Sequence, residues 1–334
     1  VRHTTNTIFN RLNKAGFKRD FVRKAILPEW WDDDCSTDQD LITELEVRVS
    51  RFLGCSIGKV RDPGLSLSVA PCGGAKLRRV KDIDRDRLGP AIHAALRIGA
   101  AVVRSLRHPE EPVCDLPAWG KQWRAEIRQG SKPIYLQDVV ESLWKRGIPV
   151  VPLETLPTPS FQGLSCVLEG RPVIMLGHKH DEPGRVAFVI AHEAGHIAAG
   201  DCTAYEPVVD EDESIIDESP MELAADLYAM EVMVGSDSVP QLQDADYLGI
   251  ARQAAMLSRT QGIDSSAMIY AWGRHTGNYV AVTMALKALY QAKGARQLLR
   301  DYFERYVDID GAAESDRLLM RTIFCGARDD ASVI

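Results

Sequence analysis

His192, Glu193 and His196 form an H-E-x-x-H run within Ala191-His192-Glu193-Ala194-Gly195-His196. On a helix, residues four apart share one face about one turn apart. Both imidazoles then reach one metal ion from the same side, with the Glu193 carboxylate beside them. Zinc takes imidazole nitrogen readily, and its catalytic sites keep a position open for water. Zinc lowers the pKa of such a water to about 7, which supplies hydroxide at neutral pH. An acid adjacent to the two ligands is placed to take the proton.

Two histidines need a third ligand, and Glu222 is the candidate. It lies in Ser219-Pro220-Met221-Glu222-Leu223-Ala224-Ala225-Asp226-Leu227-Tyr228-Ala229. That segment opens like a helix, with Ser at the cap and Pro in the first turn. Glu222 and Asp226 share a face. One carboxylate can bind metal while the other accepts the outer N–H of a ligand histidine and fixes its tautomer. Two histidines and a glutamate are a known catalytic zinc set.

Together, the H-E-x-x-H run and the downstream Glu222-x-x-Ala225-Asp226-x-Tyr228-Ala229 resemble the ImmA/IrrE metallopeptidases. Arg185 and Phe188 fit the R-x-x-F that tends to precede the family's first histidine. Tyr228 stands where the family usually has Phe, a mild change at a packing position. The resemblance covers roughly residues 134–235, with a looser helical match to about 293, and says little about 1–133. It implies His192, His196 and Glu222 as metal ligands, Glu193 as general base and a thermolysin-like peptidase core. Members typically cleave a helix-turn-helix repressor and so switch on stress-response, mobile-element or defence genes.

Several elements must hold this constellation. The apolar run Val186–Ile190 leads into the first histidine and predicts a buried helix, which Gly200 closes with a left-handed cap. Ahead of it, Leu164–Leu168 and Pro172–Leu176 flank Glu169-Gly170-Arg171, a tight hairpin signal. Ile148–Leu153 reads as a short or edge strand because of Pro149 and Pro152. The result is a small antiparallel sheet to whose edge a peptide can add beside the metal. Further candidates surround the core. His178 and His180 read as a second metal site, an oxyanion donor or a proton relay, against an exposed polar loop. Tyr205 is a candidate oxyanion donor. His275, in a loop between helices, is a candidate late electrophile or a helix-end histidine. Residues 201–218 are acid-rich with no basic residue and read as a solvated loop, or as a lid favouring basic substrates. Cys202 reads as a small buried residue rather than a metal-adjacent thiol.

In the N-terminal half, residues 4–27 predict two short helices joined near Gly16. Their basic residues suggest a helix-turn-helix, but a packing arm with a solvated basic face is the favoured reading. Asp38 to Gly54 predicts an amphipathic helix, residues 55–75 a loop, and Lys76–Lys81 a salt-bridged, solvated turn in preference to a nucleic-acid patch. Leu88 to Leu106 is a strong helix, interrupted by Gly99 at a close contact with a neighbouring element. Helices around Trp119–Ile127 and Leu136–Arg146 follow, and from Asp244 the chain reads as helical, with a loose tail after Gly326.

The 334 residues suffice for two or three domains: a helical sensing or docking region at 1–133, a zincin core at 134–235 and a helical region at 236–334. The predicted class is α+β and mostly helical. With 45% hydrophobic and 26% charged residues the composition is that of an ordinary globular protein. No apolar run approaches a membrane span. A net charge of −7 argues against wholesale nucleic-acid binding, and direct DNA contact is not favoured. Seven scattered cysteines without a C-x-x-C pair, and no basic-then-apolar leader, predict a cytoplasmic chain with reduced thiols. The expected activity is a zinc-dependent endopeptidase acting on a partner protein; manganese or iron could use the same ligands. The alternative is a metal-containing regulatory or antitoxin-like protein that binds its partner, or DNA, without cutting. A small-molecule hydrolase is a weaker third reading.

Overall fold

A computed structural model describes residues 3–32, 37–69, 76–78, 85–177, 180–204, 206–210, 219–236, 242, 246–289 and 293–324. The first elements are α1 (Thr5–Lys14), α2 (Arg19–Ala25), α3 (Gln39–Leu53), α4 (Ile57–Arg61), β1 (Lys76–Arg78) and α5 (Arg85–Arg104). Next come α6 (Gly120–Ile127), α7 (Leu136–Lys145), β2 (Val150–Pro152), β3 (Gly163–Leu168) and β4 (Arg171–Leu176). The ligand-bearing segment is α8 (Pro183–Ala199), β5 (Val208–Asp210) and α9 (Pro220–Met233). The chain continues through α10 (Tyr247–Gln261), α11 (Ser265–Thr276), α12 (Tyr279–Ala288), α13 (Ala295–Tyr306) and α14 (Glu314–Met320). The described residues are thus mostly helical around one small sheet, an α+β architecture. None of these helices is long and apolar enough to cross a membrane.

The sheet is mixed, which corrects the antiparallel expectation. Its order is β1-β5-β3-β4-β2. β3 runs antiparallel to both β4 and β5, whereas β2 pairs parallel to β4 and β1 parallel to β5. The reason is topological: β2 enters from α7 and skips β3 to join β4, so it meets its neighbour in the same direction. β2 does lie at an edge, where Pro152 needs no ladder partner. The hairpin forms where its signal lies. Glu169 and Gly170 both have positive φ, 49° and 77°, as a two-residue hairpin turn requires.

Three loop readings are also corrected. Residues 55–75 contain α4, capped by Ser56 Oγ on the Lys59 N–H at 3.3 Å and anchored by buried Val60. The turn expected at 76–81 begins as β1, and the acid-rich connection contains β5. Each is too short to carry a periodic pattern, so tertiary pairing decides it. Residues 79–81, 205 and 211–218, and the tail after Gly326, lie outside the described residues.

Caps set the ends of the functional helices. Asp38 Oδ1 accepts from the Asp40 and Leu41 amides at 2.8 and 3.2 Å, and left-handed Gly54 closes α3. Ser219 Oγ accepts from the Glu222 amide at 3.4 Å, with Pro220 in the first turn of α9. Such a cap contributes about 1 kcal/mol. α1, α2 and the turn between them bury Ile8, Leu12, Phe17 and Phe21, and Phe17 meets Phe52 of α3 edge-on at 5.3 Å. Arg11 donates to the Lys59 and Leu65 carbonyls at 2.9 Å, so it serves packing rather than a solvated face.

Packing continues across residue 133. At Gly99 of α5, a Cβ would stand 2.6 Å from Leu168 Cδ1 and 2.7 Å from Met175 Sδ, so the helix lies directly on the hairpin. α6 docks on α9, where the Lys121 amide donates to Glu231 Oε2 at 3.2 Å. α8 is buried from Gly184 through His196, as expected for a helix apolar on all sides. It crosses α9 closely: a Cβ on Gly195 would sit 3.0 Å from Ala225 Cα and 3.1 Å from Tyr228 Cβ. Gly195→Val should therefore force the two helices apart. The expected loss is about 1–3 kcal/mol of stability, read in chemical denaturation, together with weaker metal binding. Wild-type stability would show that the contact has slack.

Candidate metal centre

α8 presents His192 and His196 on the face toward α9, and α9 answers with Glu222 from its capped first turn. All three are buried, at 1%, 0% and 0% exposure. The two Nε2 atoms lie 3.2 Å apart. Glu222 Oε2 is 3.4 Å from His192 Nε2, and Oε1 is 3.4 Å from His196 Nε2. Tetrahedral zinc with bonds of 2.0–2.1 Å holds its ligand atoms about 3.3 Å apart, so the donor set fits one ion. Among the described residues this is the one group of three or more His, Cys, Asp or Glu side chains close enough to hold a metal.

The outer imidazole nitrogens are held as well. His192 Nδ1 is 2.7 Å from Asp226 Oδ1, one turn beyond Glu222, and His196 Nδ1 is 3.1 Å from Asp201 Oδ2. Each carboxylate takes the Nδ1–H and leaves Nε2 for the metal. Burial pushes the His192 imidazolium down, but Asp226 together with Glu222 outweighs it and holds the group at about 9. At His196 burial wins over Asp201 and the pKa falls below its usual value.

Asp226 has a second partner. Arg274 of α11 donates from Nη2 to Asp226 Oδ1 and stands over the Phe188 ring at 5.8 Å. Phe188 in turn meets Tyr270 edge-on at 5.2 Å, and the Arg185 guanidinium lies 5.5 Å from the Tyr270 ring centre. The Arg185 and Phe188 pair thus anchors α8 to α11. Tyr228 packs as expected, and its hydroxyl donates to the Pro117 carbonyl at 2.9 Å, with burial raising its pKa. No protein-family model matches this chain, and neither does any curated protein.

Glu193 is buried at 1% exposure beneath the start of β3. A Cβ on Gly163 would overlap its Oε1, so glycine there leaves the space the carboxylate occupies. Cys166, also on β3, is fully buried, and burial raises its thiol well above the usual range. Cys202 is half-buried.

Not every candidate joins this cluster. His180 is half-buried, with Nδ1 3.9 Å from Glu182 Oε2, and is no part of the ligand group. His275 is exposed in the last turn of α11, not in a loop, because Gly277 rather than Gly273 ends that helix. His178 and Tyr205 lie outside the described residues. Two contributors went unread in the sequence. Asp201 had a signal, an acid directly after the Gly200 cap, where the chain turns back toward His196. Arg274 had none, since helix packing alone brings it across from α11.

Asp226→Asn should lower metal affinity about 10- to 100-fold, because it weakens the partner that orients His192. Chelator competition on the purified protein measures this, and unchanged affinity would remove Asp226 from the centre.

Proposed function

We propose that this protein is a zinc-dependent endopeptidase that cuts a partner protein, with a DNA-binding repressor as the substrate class. The observation that carries this is Glu193, a buried acid set between two metal-ligand histidines and given room by Gly163. A protein that only stored metal would have no use for it there. The likeness of the His192–His196 and Glu222–Ala229 motifs to the ImmA/IrrE peptidases supports the reaction and the substrate class.

His192, His196 and Glu222 would hold the ion through Nε2, Nε2 and the carboxylate. When bound, zinc acidifies water and polarises a carbonyl. Glu193 accepts the proton of the attacking water and returns it to the departing amide nitrogen as the C–N bond breaks. Asp226 and Asp201 keep both imidazoles in the Nδ1–H tautomer, and Arg274 keeps Asp226 in place.

The test is to incubate the zinc-loaded protein with proteins encoded beside its gene and to map cut sites by mass spectrometry, with elemental analysis of the metal. Cutting by wild type and not by Glu193→Gln, with metal in both, establishes the peptidase. Stable complexes without cutting would favour the binding protein. Absence of metal from both would overturn the centre.

A further inference from the structure

Taken without β5, β3 would be an edge strand on the side away from β4. That edge begins at Gly163, the residue against which the Glu193 carboxylate packs. An extended peptide presented to Glu193 would pair there by backbone hydrogen bonds. In this chain the place is taken. Val208, Val209 and Asp210 pair antiparallel with Ser165, Leu164 and Gly163, so Asp210 lies opposite the glycine that faces the base. Neighbouring strands are about 4.8 Å apart, which puts β5 where a substrate backbone would run. Val208 and Val209 are buried at 1% and 0% exposure.

We propose that β5 is an autoinhibitory strand, a resident occupant of the peptide-binding edge of β3, and that β1 is its latch. This rests on the peptidase reading. β5 is only three residues long and follows Pro207, which has no N–H to donate. So short a strand holds few ladder bonds and can be exchanged for another. Its outer edge is covered by β1, in the parallel register Lys76↔Val208, Leu77↔Val209, Arg78↔Asp210. β1 belongs to the N-terminal half, so a partner that draws β1 away uncovers β5, and β5 then yields the edge to substrate. Residues 1–133 thereby gain a physical route to the centre.

Two zinc-loaded variants test this. Val208→Pro/Val209→Pro removes two of the three amide donors of β5 and should release it. Ser165→Cys/Val208→Cys joins directly opposed residues and, once oxidised, should lock it, with Ser165→Cys alone as the control. Fluorescein-labelled β-casein, an unfolded protein, is the cleavage probe. The released form should cut about tenfold faster than wild type, the factor expected if β5 leaves the edge in roughly one molecule in ten. The oxidised lock should cut more slowly than the same protein reduced. Equal rates for released, wild-type and locked forms would overturn the autoinhibitory strand and leave the peptidase standing. If the double-proline form does not fold, the oxidised-to-reduced comparison decides alone. If no form cuts casein, the peptidase reading rests on the partner-protein test above, and binding decides the strand. In a Glu193→Gln background, a labelled peptide copying residues 203–212 should bind the reduced pair more tightly than the locked one, and equal binding would overturn the proposal.

Discussion

On the proposed peptidase reading, Glu193→Gln should abolish cleavage, by about 100- to 10,000-fold in kcat, while the protein keeps its metal. Gln matches Glu in shape and so still fits under Gly163. His192, His196 and Glu222 keep their mutual distances, because Glu193 contributes no atom to that triad. What is lost is one basic oxygen, without which the attacking water keeps its proton and the amide nitrogen departs as a poor leaving group. Single-turnover cleavage of the mapped substrate, with zinc content measured on the same sample, checks both halves. Retained cutting would move the base elsewhere. Lost metal would mean that Glu193 supports the site structurally.

Glu222→Ala fails earlier, at metal binding. Two imidazoles remain, and the space left by a fully buried carboxylate is closed by α8 and α9. The affinity should fall by more than the 10- to 100-fold typical of losing an outer partner, and activity should vanish with it. Wild type should gain about 2.7 kcal/mol of stability at a zinc concentration 100 times its Kd, and Glu222→Ala should show no such gain. Thermal unfolding with and without zinc separates the two variants: Glu193→Gln responds to the metal like wild type, and Glu222→Ala does not. Equal zinc stabilisation of Glu222→Ala would strike it from the ligand set.

What the sequence discloses here depends on the range of the interaction. Helix ends were legible because their chemistry is local: Asp38, Ser219, Gly54 and Gly200 act within a few residues of the turns they close. The hairpin was legible for the same reason, since Glu169 and Gly170 carry its turn. Spacing alone placed both histidines on one face of α8, whereas Glu222 was named as the third ligand as an available carboxylate downstream and from the family resemblance. β1 and β5 were not legible. Each is three residues long: β1 is a strand only because β5 lies beside it, and β5 because β1 and β3 do. The parallel partner of β2 was hidden likewise, because nothing in Val150–Pro152 says that it will pass over β3 to reach β4. Arg274 belongs to this second kind, brought to Asp226 by the docking of α11 on α8.

The pairing of β1 with β5 also has a bearing on the order in which the molecule can be assembled. His196 and Glu222 are joined by a short length of chain, whereas Lys76 and Val208 are separated by about five times as much. Closing the longer loop costs about 1.4 kcal/mol more in chain entropy, and only a few ladder bonds offset it. The triad can therefore close on local contacts alone, while the cover over its edge waits for the ends of a long loop to meet. On the proposed reading β1, the latch on β5, is the last part to form, and conditions that loosen distant contacts should release it first.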